Sequence, residues 1–216
     1  LVIMHIWALH TFGSNNPTGV DVKGPQDTIP FHPYFTIKDL YGMGVFMLIF
    51  LFFVFFAPNY FGEADNYIPA DSLATPPHIV PEWYFLPSYA ILRAFTNEFI
   101  LYWPVSWLMT AKLAGVIAMF GSIILLALIP WLDTSKVRSA RYRPVYKWFF
   151  WIFVLDWIVL GMVGAHPAEG IWVVLGQVAT TYYFAHLLVI LPILGVLERP
   201  LATPESISAS VTQPAE

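Results

Sequence analysis

Residues 42–62, "GMGVFMLIFLFFVFFAPNYFG", contain no charged side chain. At 1.5 Å per residue, a helix of that length crosses the ~30 Å of hydrocarbon in a bilayer. Three more runs are of the same kind. Residues 113–132 and 171–197 are uncharged, and residues 148–165 carry one charge, Asp156. The chain therefore reads as all-α, a multi-span transmembrane helical bundle. Residues 1–12 add a shorter apolar stretch. It has no basic leader region and no small-residue cleavage site, so it is not a signal peptide. It reads as the end of a truncated transmembrane helix, and the chain as the C-terminal part of something longer. The expectation is four full spans plus the end of a preceding helix. Residues 99–111 are apolar but short, as in a re-entrant or interfacial segment.

Composition agrees. Charged residues make up 11%, against about 25% in soluble domains. The net charge of −4 offers no basic surface for nucleic acid. Cysteine is absent, which excludes disulfides, thiolate chemistry and Cys-ligated metal in this chain. Any metal here must use histidine or carboxylate.

Lys136, Arg138, Arg141, Arg143 and Lys147 crowd into residues 133–147, half of the ten basic residues. The positive-inside bias places that loop in the cytoplasm. Counting spans, loop 13–41 and the tail 198–216 share its side. The long loop 63–112 and the short loop 166–170 face the opposite side. The tail is small and polar, the composition of a flexible segment. The long loop is stiffened by Pro76, Pro77, Pro81 and Pro87. Within it, residues 83–95 suit a short helix on or in the membrane surface. Glu82 would then stand near that helix's N-terminus, where a carboxylate is favoured.

Several polar residues stand out in this apolar setting. His5 and His10 are five apart, so they do not share a helix face. A neutral imidazole on an apolar helix suits axial ligation of haem iron, or a hydrogen bond in a bundle core. "GSNNPTG" (13–19) is a turn signal. Lys38 and Asp39 stand at the entry to the first full span, as flanking charges or as a pair passing protons at the membrane edge. Asp156 lies mid-span, where an ionisable group marks function or a bond to a neighbouring helix. His186 carries the same two readings. Glu82 reads as a cap, a salt-bridge partner or a proton-exchanging carboxyl.

Taken together, these stretches resemble cytochrome b of the ubiquinol–cytochrome c oxidoreductase, the cytochrome bc1 complex. "PEWYFLPSYAILRAF" is similar to the hallmark loop of that family. "HIWALHTFGSNNPTG" resembles the end of its fourth helix, and "FHPYFTIKD" the lead into its fifth. "IPWLDTSKVRSARYRP" and "LVILPILGVLE" resemble its later helices. The motifs occur in the family's order and stop only at the polar tail. The flavour is bacterial, closest to alphaproteobacterial forms.

The resemblance implies a set of roles. His5 matches the axial ligand of the high-potential haem b and is the only one of four haem ligands in this chain. His10 and Asp39 match the pair that binds and protonates quinone at the inner site, with Lys38 beside them. Ser14 and Asn15 fall where the family lines that site and the haem edge. Glu82 matches the proton acceptor of the quinol-oxidation site. Ile79, Pro81, Tyr84, Phe85 and Tyr89 line the same pocket. Ser88 departs from a position often aromatic in the family, which implies a slightly reshaped pocket. The implied activity is that of a quinol–cytochrome c reductase subunit, inactive as this segment alone. It would use ubiquinol and ubiquinone, with two b haems in the full protein. Implied partners are cytochrome c1, a Rieske iron–sulfur protein, a second cytochrome b in a homodimeric complex, and the lipid bilayer. The implied location is the bacterial inner membrane, with the PEWY loop periplasmic. Rival readings are the separate quinol-oxidation subunit (subunit IV) of the photosynthetic complex, and a transporter subunit using Asp156 as a midplane site. A third is a purely structural membrane subunit.

Overall fold

The computed structural model describes residues 1–14, 16, 18–62, 64–74, 79–101 and 109–212. Two compact units are present, Leu1–Gly19 with His78–Thr203, and Val20–Pro77 with Pro204–Glu216. Among the described residues, four helices are long and apolar enough to cross a membrane.

The first unit opens with α1 (Val2–Phe12). The helix stops at Gly13, whose φ of 75° is open to glycine at little cost. Its bundle is made of α5 (Ala111–Leu132), α6 (Tyr146–Ala165) and α7 (Ile171–Ala185). Two short helices precede α5: α3 (Leu86–Ala94) and α4 (Asn97–Ile100). Thr110 caps α5, its hydroxyl accepting the Leu113 N–H at 3.4 Å. The last span does not end with α7. It widens into a π turn over His186–Ile190 and resumes as α8 (Leu191–Leu197). Pro192 lacks an N–H to bond the carbonyl four residues back, and the widened turn absorbs that loss. Its own carbonyl accepts the Thr134 hydroxyl at 2.8 Å.

In lipid there is little hydrophobic drive between helices, so close packing and hydrogen bonds hold them. The bundle has the composition this requires. The buried residues of α5 are Ala111, Ala114, Gly115, Ala118 and Ser122, a small-residue stripe at helical spacing. Tyr183 is fully buried on α7 and donates its hydroxyl to the Ser122 carbonyl at 2.9 Å. Its ring packs on Phe153 and Trp157 of α6.

The PEWY helix, α3, buries one face in the bundle. Pro87, Ser88, Ala90, Ile91 and Ala94 are buried, and α3 packs against α5, α6 and α7. Two glycines make this possible. A Cβ at Gly164 of α6 would collide with the Leu86 carbonyl, and one at Gly115 of α5 with the Leu92 carbonyl. A helix too short to be stable alone is thus wedged backbone-to-backbone between two long ones.

Both ends of α6 are closed by side chains from elsewhere in the chain. At its start, Glu198 accepts the N–H groups of Val145 (2.6 Å) and Tyr146 (3.0 Å). Glu198 also meets Arg143 at 3.4 Å, and Arg143 bonds Asp133 at 2.7 Å. At its finish, Arg93 donates to the carbonyls of Val163 (2.6 Å) and His166 (2.9 Å). The anion at the N-terminus and the cation at the C-terminus both suit the helix dipole. These contacts also put the basic loop and the PEWY helix at opposite ends of the bundle.

The second unit contains α2 (Thr36–Phe56), which buries none of its residues. It begins six positions before the uncharged run, with Asp39 in its first turn, where the dipole accommodates a carboxylate. It ends at Phe56, because Pro58 disfavours a helical residue before it. The polar tail contains one short helix, α9 (Ile207–Thr212). The Ser206 hydroxyl accepts the Ala209 N–H at 3.0 Å, and Asp27 accepts the Ser208 N–H at 2.8 Å.

Candidate functional site

Pro81 ends the irregular chain and is half-buried. Glu82 follows as the N-cap of a 3-10 turn, Trp83–Phe85, that runs directly into α3. Its carbonyl accepts the Phe85 N–H at 2.8 Å. Its carboxylate makes no capping bond and is exposed. The cap is therefore made by the backbone, and the side chain is left free to serve something else.

Around that carboxylate stand aromatic rings. Tyr84 and Phe85 are 4.6 Å apart and Trp83 lies 5.6 Å from Tyr84. Phe85 and Tyr89 are four residues apart, so they share a face. Trp83, Tyr84, Phe85 and Ile79 are all more than half exposed. Tyr89 is half-buried, with the Arg93 guanidinium carbon 4.6 Å from its ring centroid. The buried positions of α3 lie on the other face. Ser88 is one of them, 7% exposed. It points into the bundle rather than toward Phe85 and Tyr89, so it does not reshape their side of the helix.

The structure gathers Pro81, Glu82, Tyr84, Phe85 and Tyr89 into one turn and helix. The other residues singled out by sequence belong to other elements. His5 and His10 are exposed on α1, and Ser14 is exposed just beyond it. Lys38 and Asp39 are exposed in the opening turns of α2, in the second unit. Asn15 lies outside the described residues, as do Pro76 and Pro77.

His5 fits one axial position of a haem. Its imidazole is exposed on an apolar helix and makes no side-chain hydrogen bond among the described residues. It shares an open apolar recess with Leu1, Val2 and Met4. Among the described residues no three His, Asp or Glu side chains converge as metal ligands.

Asp156 and His186 are both buried in the bundle. The His186 ring stacks on Phe153 at 4.4 Å, and its Nδ1 lies 3.3 Å from the Tyr182 hydroxyl. Asp156 leaves one carboxyl oxygen buried without a protein partner among the described residues. The sequence marks Arg143 only as one charge of the basic loop and gives no role to Arg93 or Glu198. A cation in the last turn of a short amphipathic helix was the one available signal for Arg93.

Residues 69–184 match the family model described as cytochrome b(C-terminal)/b6/petD. The chain is 58% identical over 212 residues to a cytochrome b of Rhodospirillum rubrum, covering 98% of this chain and 49% of the relative. It is 52% identical over 211 residues to a cytochrome b/c1 of Bradyrhizobium diazoefficiens, covering 98% of this chain and 29% of the relative. A solved chain of a hyperthermophilic respiratory Complex III superposes with a TM-score of 0.78 at 33% identity, covering 91% of this chain and 47% of that one. The chain spans about half the length of the cytochrome b relatives it matches.

Proposed function

The chain belongs to the cytochrome b family, and on that premise we propose that it forms the C-terminal part of the cytochrome b subunit of a bc1 complex, which oxidises ubiquinol at an outer site and reduces quinone at an inner one. The observation that carries this reading is the free carboxylate of Glu82. It sits at the mouth of a helix that is wedged into the bundle on one face and lined by Phe85 and Tyr89 on the other. Quinol oxidation releases two protons, and a carboxylate acceptor near aromatic side chains can take one of them. Ile79, Pro81, Tyr84, Phe85 and Tyr89 bind and orient the ring. Glu82 accepts a hydroxyl proton through a hydrogen bond and passes it toward water.

His10 and Asp39 serve the second site, where quinone is reduced. They bind the two carbonyl ends and deliver protons, with Lys38 assisting uptake and Ser14 and Asn15 lining the site. His5 would hold the high-potential haem b, and that group would supply one-electron transfer. The remaining haem ligands come from the part of cytochrome b outside this chain. Cytochrome c1, the Rieske protein and a second cytochrome b are the partners this role requires. The basic loop 133–147 faces the cytoplasm and the PEWY helix the periplasm, in a bacterial inner membrane. The bundle supports that polarity, since it holds the two at opposite ends.

The test is Glu82→Gln in the full-length protein assembled in its complex. The expected result is a quinol-oxidation rate lower by about 10²-fold with an altered pH profile. An unchanged rate and profile would remove Glu82 from the reaction.

A further inference from the structure

Arg93 ties the candidate site to the far end of another helix. It stands one turn beyond Tyr89 on α3. Its Nη2 bridges two carbonyls at the C-terminal end of α6, those of Val163 and His166. The same guanidinium lies over the Tyr89 ring at 4.6 Å, well within cation–π range. Only a planar, delocalised cation can do both. A lysine ammonium is a compact point charge and cannot bridge the carbonyls while covering the ring.

The consequence falls on Tyr89. Its ring is half-buried on the open face of a nine-residue helix. A tyrosine there, with nothing across its ring, has more than one rotamer open to it. The guanidinium blocks that freedom from one side and is itself immobilised by α6.

We propose that Arg93 is a positioning residue for quinol, holding the Tyr89 ring in one orientation so that Tyr89 and Phe85 form a fixed wall beside Glu82. This rests on the reading of the segment as the quinol-oxidation site. Arg93 acts through Tyr89 and does not itself touch quinol.

The experiment is a double-mutant cycle in the intact complex, using Arg93→Gln, Tyr89→Leu and the pair. Two quantities are read: ubiquinol kinetics, and affinity for a redox-inert quinol analogue. Arg93→Gln should raise the quinol KM by about 3- to 10-fold, weaken the analogue to the same degree, and change kcat less. The double variant should match Tyr89→Leu alone, because the two residues act as one unit. Arg93 also closes α6, so Arg93→Gln could fail to assemble. Arg93→Lys keeps the charge and one carbonyl contact, and should give a KM between wild type and Arg93→Gln. In an assembly failure, a raised KM in Arg93→Lys carries the proposal and a wild-type KM overturns it. Additive effects in the cycle also overturn it. If Tyr89→Leu raises KM and neither arginine variant does, the positioning role alone falls. If Tyr89→Leu itself leaves KM unchanged, the quinol-site reading falls with it.

Discussion

Replacing Gly164 with alanine adds a single methyl group and no charge, yet it should damage the proposed quinol site. An ideal Cβ at Gly164 overlaps the Leu86 carbonyl oxygen and lies 2.7 Å from its carbonyl carbon and 3.0 Å from its Cα. These are backbone atoms of the first residue of α3, so no side chain can rotate away. To restore ordinary contact, α3 must withdraw from α6 by about 1 Å, and overpacking of this kind costs about 1–3 kcal/mol. Alanine returns up to about 1 kcal/mol in helix propensity, so the net effect is destabilising. Gly121→Ala is the matched control. It lies in α5 and its added Cβ meets nothing within 4 Å, so it keeps the propensity gain without the clash. Leu86 is four residues past Glu82, so the displacement passes directly to the carboxylate. A misplacement of about 1 Å can cost about 10²-fold in rate. The measurements are thermal unfolding of the detergent-solubilised complex and its quinol-oxidation rate. If Gly164→Ala behaves like Gly121→Ala in both, α3 is not held by backbone contact with α6 and the reasoning fails.

Two further outcomes follow from the ends of the bundle and from α1. Glu198→Ala leaves the buried Arg143 with Asp133 as its remaining carboxylate and takes the acceptor from two helix N–H groups, and should cost about 1–3 kcal/mol; Glu198→Gln, which can still accept, should cost less, and denaturant titration separates the two. His5→Ala in the full-length protein should abolish the optical band of the high-potential haem while leaving the low-potential band, and a spectrum with both bands present would end the ligand assignment.

The spans were legible because lipid demands long uncharged helices, and that demand is written locally in the sequence. Where a boundary depended on a charge, the reading slipped. Lys38 and Asp39 concealed the start of α2, although the helix dipole accommodates the carboxylate. Glu82 and the rings near it could be read from a compact motif. The burial of α3 could not. It depends on Gly115 and Gly164, glycines in two other helices whose meaning appears only when the chain is folded. The tail helix was hidden for the same reason, since the carboxylate that bonds its Ser208 N–H lies 181 residues away. The role of Arg93 was not legible, because its carbonyl partners belong to α6.

The closures at the two ends of α6 carry one more consequence. Glu198 fixes where the helix starts and Arg93 fixes where it stops, and each is anchored in a different part of the chain. Twenty residues lie between, which at 1.5 Å each is about 30 Å, the thickness of the hydrocarbon core. The helix therefore works as a ruler. A residue inserted or deleted within it would rotate one end by about 100° and break one closure or the other, however apolar the new residue. Its length is constrained apart from its composition, because that length sets how far the PEWY helix stands from the basic face of the bundle.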